Sequence, residues 1–401
     1  MIKIKLYPAQ NGDAILIYNS SDDPLAILID GGYASTYQHH ISRDLKKLSE
    51  QGYSLDLVIA THIDADHISG LLRFFRDNGS SESPKIIEVK EVWHNSLRSL
   101  AHSTLADDSR TSDDEDLLVE INRRGYPLPI ETTLEPAEIS ARQGCSLATL
   151  LLSGEYRWNS GDGTRSINSA DTSFFEFRPD VQLQVLSPSA TRLEQLRGWW
   201  IRALHRLGYT GTIGVNGTFD AAFEFLCASE NIHAGIRGEP TLLSDSVNRS
   251  LDEVYQADDS VTNGSSISVI MEIGAFRLLF LGDSWAEDIE EALQLLPKVT
   301  FPIVFDVIKI SHHGSFHNTS AKLLELIDSP VYLISSNGGC HGHPDIEVLK
   351  AIVDRPSGFK RHLYFNYTTT ASRNMHSYTS KSGADFEIYD ASTDGVEFEL
   401  E

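Results

Sequence analysis

Apolar and polar positions in the first part of the chain predict strands that alternate with helices. Apolar residues occur at every second position in 2–6, as in a strand with one buried face, whereas later runs are continuously apolar. The predicted elements are strands at 2–6, 14–18, 25–29 and 55–60 and a helix at about 42–50. The last of these strands leads directly into a polar cluster at 61–67. The carboxyl ends of strands are where α/β sheets usually carry their catalytic and binding residues.

The pattern changes in the middle of the chain and then resumes. Residues near 107–116 are rich in Ser, Asp and Glu, and Pro127, Pro129, Gly161 and Gly163 follow, as is typical of an insertion with loops. We predict a first core half at 1–95, a polar and acidic insertion at 96–175, a core strand and connection at 176–198, a mostly helical insertion at 199–258, and a second core half at 259–401. A chain of 401 residues is compatible with one elaborated domain or with two.

The second core half resembles the first in its alternation of strands and helices. It is predicted to contain strands at about 267–271, 276–281, 304–310 and 331–335 and helices at about 286–296 and 319–327. The sequence therefore predicts an α/β protein.

Composition and charge limit the kinds of function. The chain is 41% hydrophobic and 22% charged, as in ordinary globular proteins. Its formal net charge of -24 and pI near 4.9 repel phosphate backbones, so a nucleic-acid substrate would need a local basic channel or bound cations. No stretch approaches the roughly 18 apolar residues of a membrane span, and Cys145, Cys227 and Cys340 suit neither a disulfide framework nor a thiolate zinc site. We expect a cytoplasmic protein without a membrane segment.

The polar cluster carries the strongest chemical signal. His62, Asp64, Asp66 and His67 place four potential metal ligands within six residues. Carboxylates packed this closely would repel one another, and bound cations relieve that repulsion. The alternative is an ordinary polar loop in which Asp66 caps the following helix. The density of ligands favours a centre with two metal ions.

Several motifs, in order, give the chain a resemblance to a known superfamily. The segment from Thr61 to Gly70 resembles the metal motif of the metallo-β-lactamase superfamily, whose commoner form has His in place of Asp64. The version with Asp is similar to the hydrolase domain of the competence DNA-uptake channel protein and to phosphorylcholine esterases. Further matches are Gln10-Asn11-Gly12-Asp13, Ile29-Asp30-Gly31-Gly32, Leu281-Gly282-Asp283, the segment 309–315 with His312-His313-Gly314-Ser315, and Gly342-His343-Pro344. The resemblance implies a four-layer αββα fold, here with two insertions.

The resemblance also implies roles for individual residues. His62 and Asp64 would hold one divalent ion, and Asp66 and His67 the other. Asp283 would bridge the two ions. His313 would complete the second position, with His312 as a weaker candidate. Asp30 would orient one of the ligands through a hydrogen bond, unless it is only a turn residue.

One segment departs from the commoner pattern of the superfamily. An isolated histidine is expected shortly before the strand that ends at Asp283, and Asn263-Gly264-Ser265-Ser266 stands there instead. Competence-type members have a similar Asn and Ser segment, which would place Asn263 behind the ligands. An oxygen-rich site favours harder ions, so Mn²⁺ or Mg²⁺ competes with Zn²⁺.

The implied reaction is attack by a hydroxide shared between two metal ions, with Asp66 among the catalytic residues. A leaving oxygen needs a proton or a positive partner, for which His343, His312 and Lys309 are the candidates. Lys309 is alternatively a solvated charge at a strand end. Ser315 and His343 are candidates for binding substrate, although Ser315 could equally cap a helix.

The leading hypothesis is a phosphodiesterase, with nucleases included, that acts on a phosphodiester such as nucleic acid. One alternative is a small phosphoester or cyclic nucleotide as substrate, and another is a partner-dependent effector that docks a protein through 96–175 or 199–258. Arg197–Arg206, with Trp199 and Trp200, would either stack on a single strand or form an amphipathic helix that buries its tryptophans.

Overall fold

The computed structural model describes residues 1–19, 23–100, 111–126, 146–170, 174–230, 249–339, 342–391 and 393–400. Pro127, Pro129, Cys145 and Cys340 lie outside these residues, as does much of both predicted insertions. The described strands are β1 (Ile2–Leu6), β2 (Ile15–Asn19), β3 (Ala26–Ile29), β4 (Leu57–Ile59), β5 (Gly79–Ser80), β6 (Ser83–Pro84), β7 (Val92–Trp93), β8 (Phe174–Arg178), β9 (Val181–Ser187), β10 (Ser268–Ile273), β11 (Phe276–Phe280), β12 (Ile303–Val304), β13 (Val307–Lys309), β14 (Ile327–Asp328), β15 (Val331–Ile334), β16 (Arg361–Phe365), β17 (Phe386–Asp390) and β18 (Val396–Leu400).

Two mixed sheets contain most of these strands. The first has the order β18-β1-β2-β3-β4-β7, and the second has the order β17-β16-β15-β13-β11-β10-β9-β8. In the first sheet β3, β4 and β7 run parallel, and in the second β11, β13, β15, β16 and β17 run parallel. The pairs β5-β6 and β12-β14 form small separate sheets.

The inner faces of the two sheets pack against each other. Alternating residues such as Ile2, Ile4 and Leu6 of β1 point into this layer, and Leu278 and Phe280 of β11 meet them from the second sheet. All five side chains are almost fully buried. The period of two in the sequence therefore marks the face of β1 that enters the sandwich.

Helices cover the outer face of each sheet. Helices α2 and α3 pack on the first sheet, and α10 to α13 pack on the second. The described helices are α1 (Ala34–Thr36), α2 (Ser42–Glu50), α3 (Ala65–Asn78), α4 (Leu97–Leu100), α5 (Ser112–Arg124), α6 (Leu147–Ser153), α7 (Ala190–Arg206), α8 (Gly217–Cys227), α9 (Leu251–Val254), α10 (Ala286–Gln294), α11 (Ala321–Leu326), α12 (Ile346–Val353) and α13 (Thr370–Met375), with a π-helical turn at Tyr37–Ile41 and 3-10 turns at Asn263–Ser265 and Ser311–Gly314. The predicted four-layer αββα fold is confirmed.

Helices from the two predicted insertions belong to one hydrophobic core. Helix α8 packs against α5 and α6, and α7 contributes Trp200, which is fully buried against Phe223. Trp199 is half-buried, whereas Arg202 and Arg206 are exposed, so this stretch is an amphipathic helix. The predicted boundary at residue 199 lies inside α7. None of the described helices combines the length and the apolar character that crossing a bilayer requires.

Candidate metal centre

The residues predicted for the site follow strands whose carboxyl ends lie at one edge of the sandwich. Asp30 follows β3 and His62 follows β4 in the first sheet, while Asp283 follows β11 and His313 follows β13 in the second. Backbone hydrogen bonds join these ends, since the N–H of Ile267 donates to Thr61 O at 2.9 Å and that of His312 to Gly282 O at 3.0 Å. The fold therefore brings together segments more than two hundred residues apart.

The carboxylate of Asp283 lies at the middle of the cluster. Its Oδ2 atom faces the Nε2 atoms of four histidines, at 3.4 Å from His67, 3.5 Å from His313, 3.8 Å from His312 and 3.9 Å from His62. Asp283 and three of the imidazoles are buried, and only His312 is partly exposed. This position agrees with the bridging role that the resemblance implies.

Two groups of side chains lie on either side of Asp283. His62 approaches Asp64, with 3.5 Å between His62 Nε2 and Asp64 Oδ2. On the other side, Asp66, His67 and His313 each offer an atom within 4.8 Å of the others, and His313 Nε2 lies 3.7 Å from Asp66 Oδ2. This grouping corresponds to the predicted pairs, His62 with Asp64 and Asp66 with His67, with His313 beside the second pair; their roles as ligands stay a prediction.

The chemistry of this cluster fits metal ions. His62 Nε2, His67 Nε2 and Asp283 Oδ1 are buried without a hydrogen-bond partner among the described residues, which is costly in a protein interior. The distances from His67 Nε2 and His62 Nε2 to Asp283 Oδ2, 3.4 and 3.9 Å, are too long for a hydrogen bond. Two atoms that each lie about 2.1 Å from one tetrahedral ion are about 3.4 Å apart. Divalent ions would satisfy these atoms and neutralise the carboxylates.

Asp30 holds His67 from behind, as predicted for a carboxylate that orients a ligand. Its Oδ2 lies 2.9 Å from His67 Nδ1 and accepts from the hydroxyl of Thr61 at 2.7 Å, and Oδ1 accepts from the Thr61 N–H at 2.8 Å. Asp30 is fully buried and adopts a φ of 57° in the left-handed region. Burial disfavours a charged His67, but the carboxylates of Asp283, Asp30 and Asp66 outweigh it and raise the pKa of His67 well above its usual value.

Histidines 312 and 313 both adopt left-handed backbone conformations, with φ of 43° and 58°. This geometry turns two consecutive imidazoles toward the same carboxylate. His312 Nδ1 lies 2.6 Å from Asn318 Oδ1. Burial opposes protonation of His312, whereas Asp283 and Asp258 favour it, and the net effect is a raised pKa. The surroundings of His312 therefore favour its protonated form beside Asp283.

Asn263 lies further from the ligands than the sequence suggested. Its Nδ2 donates to Asp258 Oδ2 at 2.7 Å, and the same oxygen accepts from Asn318 Nδ2 at 2.8 Å. Asn318 Nδ2 also approaches Asp283 O at 3.1 Å. Asn263 thus reaches the centre through Asp258 and Asn318, two residues that the sequence did not mark because only the tertiary fold connects them.

His343 lies beside His312, with 5.4 Å between the ring centroids. Its Nδ1 lies 3.2 Å from Asp345 Oδ2, and burial, the largest influence, lowers the pKa of the imidazole. The pKa values of these two neighbouring imidazoles are thus shifted in opposite directions, which suits one to accept a proton and the other to donate one.

Lys309 and Ser315 differ from their predicted roles. The ammonium group of Lys309 is buried and binds the carboxylate of Asp13 and, at 3.0 Å, Ile310 O. It is neither a solvated charge nor a group directed toward a leaving oxygen. Ser315 is fully buried and its Oγ accepts from the His317 N–H at 3.1 Å, while Ser320 caps α11. Neither substrate binding nor helix capping suits this hydroxyl, because the loop encloses it.

Asp13 and Asn11 are parts of the site that sequence reasoning missed. Burial opposes ionisation of Asp13, but Lys309 and His313 outweigh it and lower its pKa below the usual range. Asn11 Nδ2 donates to Asp66 Oδ2 at 2.7 Å. The only signal in the sequence was the Gly12-Asp13 turn, which matched the superfamily without revealing what either side chain contacts.

Comparison with known proteins gives one family match and several distant structural likenesses. Residues 8–135 match the family model of the metallo-beta-lactamase superfamily. Similar solved structures include a metal-dependent hydrolase of the beta-lactamase superfamily (13% identity, 100% of this chain and 99% of that one, TM-score 0.39), Zn(2+)-bound PqqB from Methylobacterium extorquens (11%, 99% and 100%, 0.35) and a long form RNase Z from yeast (8%, 91% and 37%, 0.33). No curated protein matches the chain significantly.

The family match covers the turn at Gly12-Asp13, Asp30 and the cluster from His62 to His67. It supports the superfamily assignment that the motifs predicted. The resemblance to the competence-type hydrolase domain stays a prediction, and so do the roles of the individual ligands.

Proposed function

We propose that the chain is a metal-dependent hydrolase that cleaves phosphodiesters. The observation that carries this proposal is the carboxylate of Asp283 among four imidazole Nε2 atoms, all within 3.9 Å. Asp64 and Asp66 make the centre richer in oxygen ligands than an all-histidine site. An oxygen-rich pair of cation positions suits a substrate that carries negative charge on its own oxygens.

The ligands would divide into two positions that share Asp283. His62 and Asp64 would hold one ion, and Asp66, His67 and His313 the other. Divalent ions bound there would polarise a phosphoryl oxygen and lower the pKa of a nearby water toward neutrality. Mn²⁺, Mg²⁺ and Zn²⁺ are all candidates, with the harder ions favoured by the carboxylates.

The residues around the ligands would manage the protons. The carboxylate of Asp283 raises the pKa of His312, which favours a protonated imidazole that can stabilise charge on the departing oxygen. His343, whose pKa burial lowers, can accept or return a proton through His312. Lys309 is unsuited to this task because Asp13 already neutralises its ammonium group.

Two substrate classes fit the centre, and charge distinguishes between them. A polynucleotide must approach a chain of net charge -24, whereas a cyclic nucleotide or another small diester meets less repulsion. The exposed Arg202 and Arg206 of α7 offer a local basic surface for a strand. We favour a phosphodiester as the reacting group and keep polymer and small molecule as alternatives.

The test is a hydrolysis assay of purified protein loaded in turn with Mn²⁺, Mg²⁺ and Zn²⁺. The substrates are a single-stranded oligonucleotide, a duplex, a cyclic nucleotide and a bis-aryl phosphodiester, and a chelated sample is the control. We expect metal-dependent release of a phosphomonoester from at least one of them. If all four stay intact with every metal while the protein is folded and loaded, phosphodiester hydrolysis is wrong for this chain.

A further inference from the structure

We propose that Asp13, held by Lys309, is a positioning residue that orients His313 toward the second metal position. This inference rests on the metal centre proposed above and assigns a task to a buried ion pair that the reaction itself does not use. It concerns the two side chains that the ligand motifs left unexplained.

The ion pair joins the two sheets directly behind the centre. Asp13 lies in the loop before β2 in the first sheet, and Lys309 is the last residue of β13 in the second. Their side chains are 2% and 1% exposed. Burying a pair of this kind costs desolvation energy, so the pair does not by itself indicate a gain in stability. A role in the site is another reason for its presence.

The geometry at His313 supplies that explanation. Asp13 Oδ1 lies 3.5 Å from His313 Nδ1, a contact that is longer than an ordinary N–H···O hydrogen bond. Both atoms are buried and have no hydrogen-bond partner in the part of the chain that the structure describes, so each is the nearest polar atom that could satisfy the other. On the opposite side of the ring, Nε2 lies 3.5 Å from Asp283 Oδ2 and 3.7 Å from Asp66 Oδ2.

A neutral imidazole has one N–H group and one lone pair. A carboxylate at Nδ1 keeps the proton on that nitrogen and leaves the lone pair of Nε2 for a cation. Asp30 lies on the corresponding side of His67 and is closer, with its Oδ2 at hydrogen-bonding distance, 2.9 Å, from Nδ1. The two imidazoles of the second position would thus share one device, built from unrelated segments.

Asp13 is better placed to orient a ligand than to be one. Its Oδ2 is bound to Lys309, and its Oδ1 faces Nδ1 of His313, the nitrogen that points away from Asp283. The same loop also reaches Asp66, since Asn11 donates to its carboxylate and Gly12 packs against its backbone. The loop therefore supports both segments of the second position.

The experiment measures metal content in variants that distinguish a loss of His313 orientation from a loss of folding. Asp13→Asn alone leaves Lys309 buried and unpaired, which threatens folding. The double variant Asp13→Asn with Lys309→Met removes both charges and should fold. Asp56→Asn is the matched control, because Asp56 is also 2% exposed and pairs with a lysine, Lys90, at 2.9 Å.

We expect wild type and the Asp56 variant to bind two ions per chain by elemental analysis. The folded double variant should retain one ion tightly and bind the second about 10- to 100-fold more weakly in a chelator competition. A melting temperature close to that of wild type would show that the loss is local.

Two results would overturn the inference in distinguishable ways. A folded double variant that binds both ions with wild-type affinity would remove the positioning role and leave the metal centre intact. Wild-type protein that binds no divalent ion would remove the metal centre, and the positioning role with it.

Discussion

Each histidine of the centre has a different oxygen behind it and the same oxygen in front of it. In front, all four Nε2 atoms face Asp283 Oδ2. Behind, the four Nδ1 atoms face Thr61 Oγ1 at 3.1 Å, Asp30 Oδ2 at 2.9 Å, Asn318 Oδ1 at 2.6 Å and Asp13 Oδ1 at 3.5 Å, for His62, His67, His312 and His313 respectively. A hydrogen bond that fixes Nδ1, as in His62, His67 and His312, orients the other nitrogen of the ring without help from substrate, and Asp13 stands at the corresponding position for His313.

Replacing Asp283 by Asn tests this arrangement. The variant keeps the size of the side chain but removes the charge that both metal positions share, so we expect both ions to bind at least about 100-fold more weakly. Elemental analysis after dialysis and circular dichroism of the same sample measure metal and fold. Full metal content in a folded Asp283→Asn variant would contradict the bridging role.

Some residues of the site could be predicted from the sequence, and others could not. His62, Asp64, Asp66 and His67 were predictable because their chemistry is concentrated in six consecutive residues. Asp13 was not, because its role depends on Lys309, 296 residues away. A lone aspartate after glycine is ordinary turn chemistry until the fold places a lysine and a histidine against it.

At the scale of elements, α3 is anchored to the first sheet by close contact between two glycines. The N–H of Gly70 donates to Gly32 O, and the N–H of Gly31 donates to His67 O, both at 2.8 Å. A Cβ added at residue 70 would lie 1.9 Å from Gly31 O. The contact fixes the first turns of the helix that carries Asp66 and His67.

We therefore expect Gly70→Ala to lower the free energy of unfolding by about 2 kcal/mol, because the helix must move away from the sheet. Metal affinity should fall in the same variant, since His67 moves with the helix. Gly358→Ala is the control, because its added Cβ meets no atom within 4 Å. Urea unfolding measures the free energy of unfolding of both variants. Equal midpoints for the two variants would contradict the prediction.

Elements with strong apolar patterns were predictable, whereas short elements were not. The helix predicted at about 42–50 is Ser42–Glu50, and those predicted at about 286–296 and 319–327 are Ala286–Gln294 and Ala321–Leu326. Strands of two residues, such as β7, have too few positions for a period to be visible. The π-helical turn at Tyr37–Ile41 likewise depends on packing that the local sequence does not encode.

For the whole molecule, the net charge of -24 predicts how salt affects the cleavage of an oligonucleotide. Salt screens repulsion between like charges, so kcat/KM should rise a few-fold between about 20 and 200 mM salt at saturating metal. A bis-aryl phosphodiester should respond much less. A fall in kcat/KM with salt would instead mean that a basic surface, such as that of Arg202 and Arg206, dominates the approach.

Stability should depend on pH through Asp220 of α8. This carboxyl is fully buried, and burial, against the opposing effect of Arg98, raises its pKa from 3.8 to about 6. Folding therefore takes up a proton between pH 4 and 6, so this group's contribution is most favourable below pH 4 and becomes a cost as the pH rises to 6.

We expect Asp220→Asn to match wild type below about pH 4 and to be more stable by about 3 kcal/mol above pH 6. The amide retains an acceptor for the Arg98 N–H, which Asp220 Oδ1 binds at 3.0 Å. Denaturant unfolding at several pH values measures the difference. A constant difference across this range would mean that Asp220 titrates normally in the folded protein.

The four layers were predictable from the resemblance, but the part that the two insertions take in the helical layer on the first sheet was not. Helices from both predicted insertions pack into it, and Trp200 joins the same core as residues of α2 and α3. Composition separated these segments from the core because their loops are polar. Their buried faces pack against each other and against α3, across distances in sequence that no local pattern shows.

The pairing of β1 with β18 has a consequence for how the molecule folds. The register joins Ile2 to Leu400 and Leu6 to Val396, so the first sheet closes only when the two ends of the described chain meet. Pairings this distant in sequence slow folding, and until they form β1 is an unpaired edge. Two partly folded molecules can then pair at that edge. Recovery of native protein after dilution from denaturant should therefore decrease as its concentration rises.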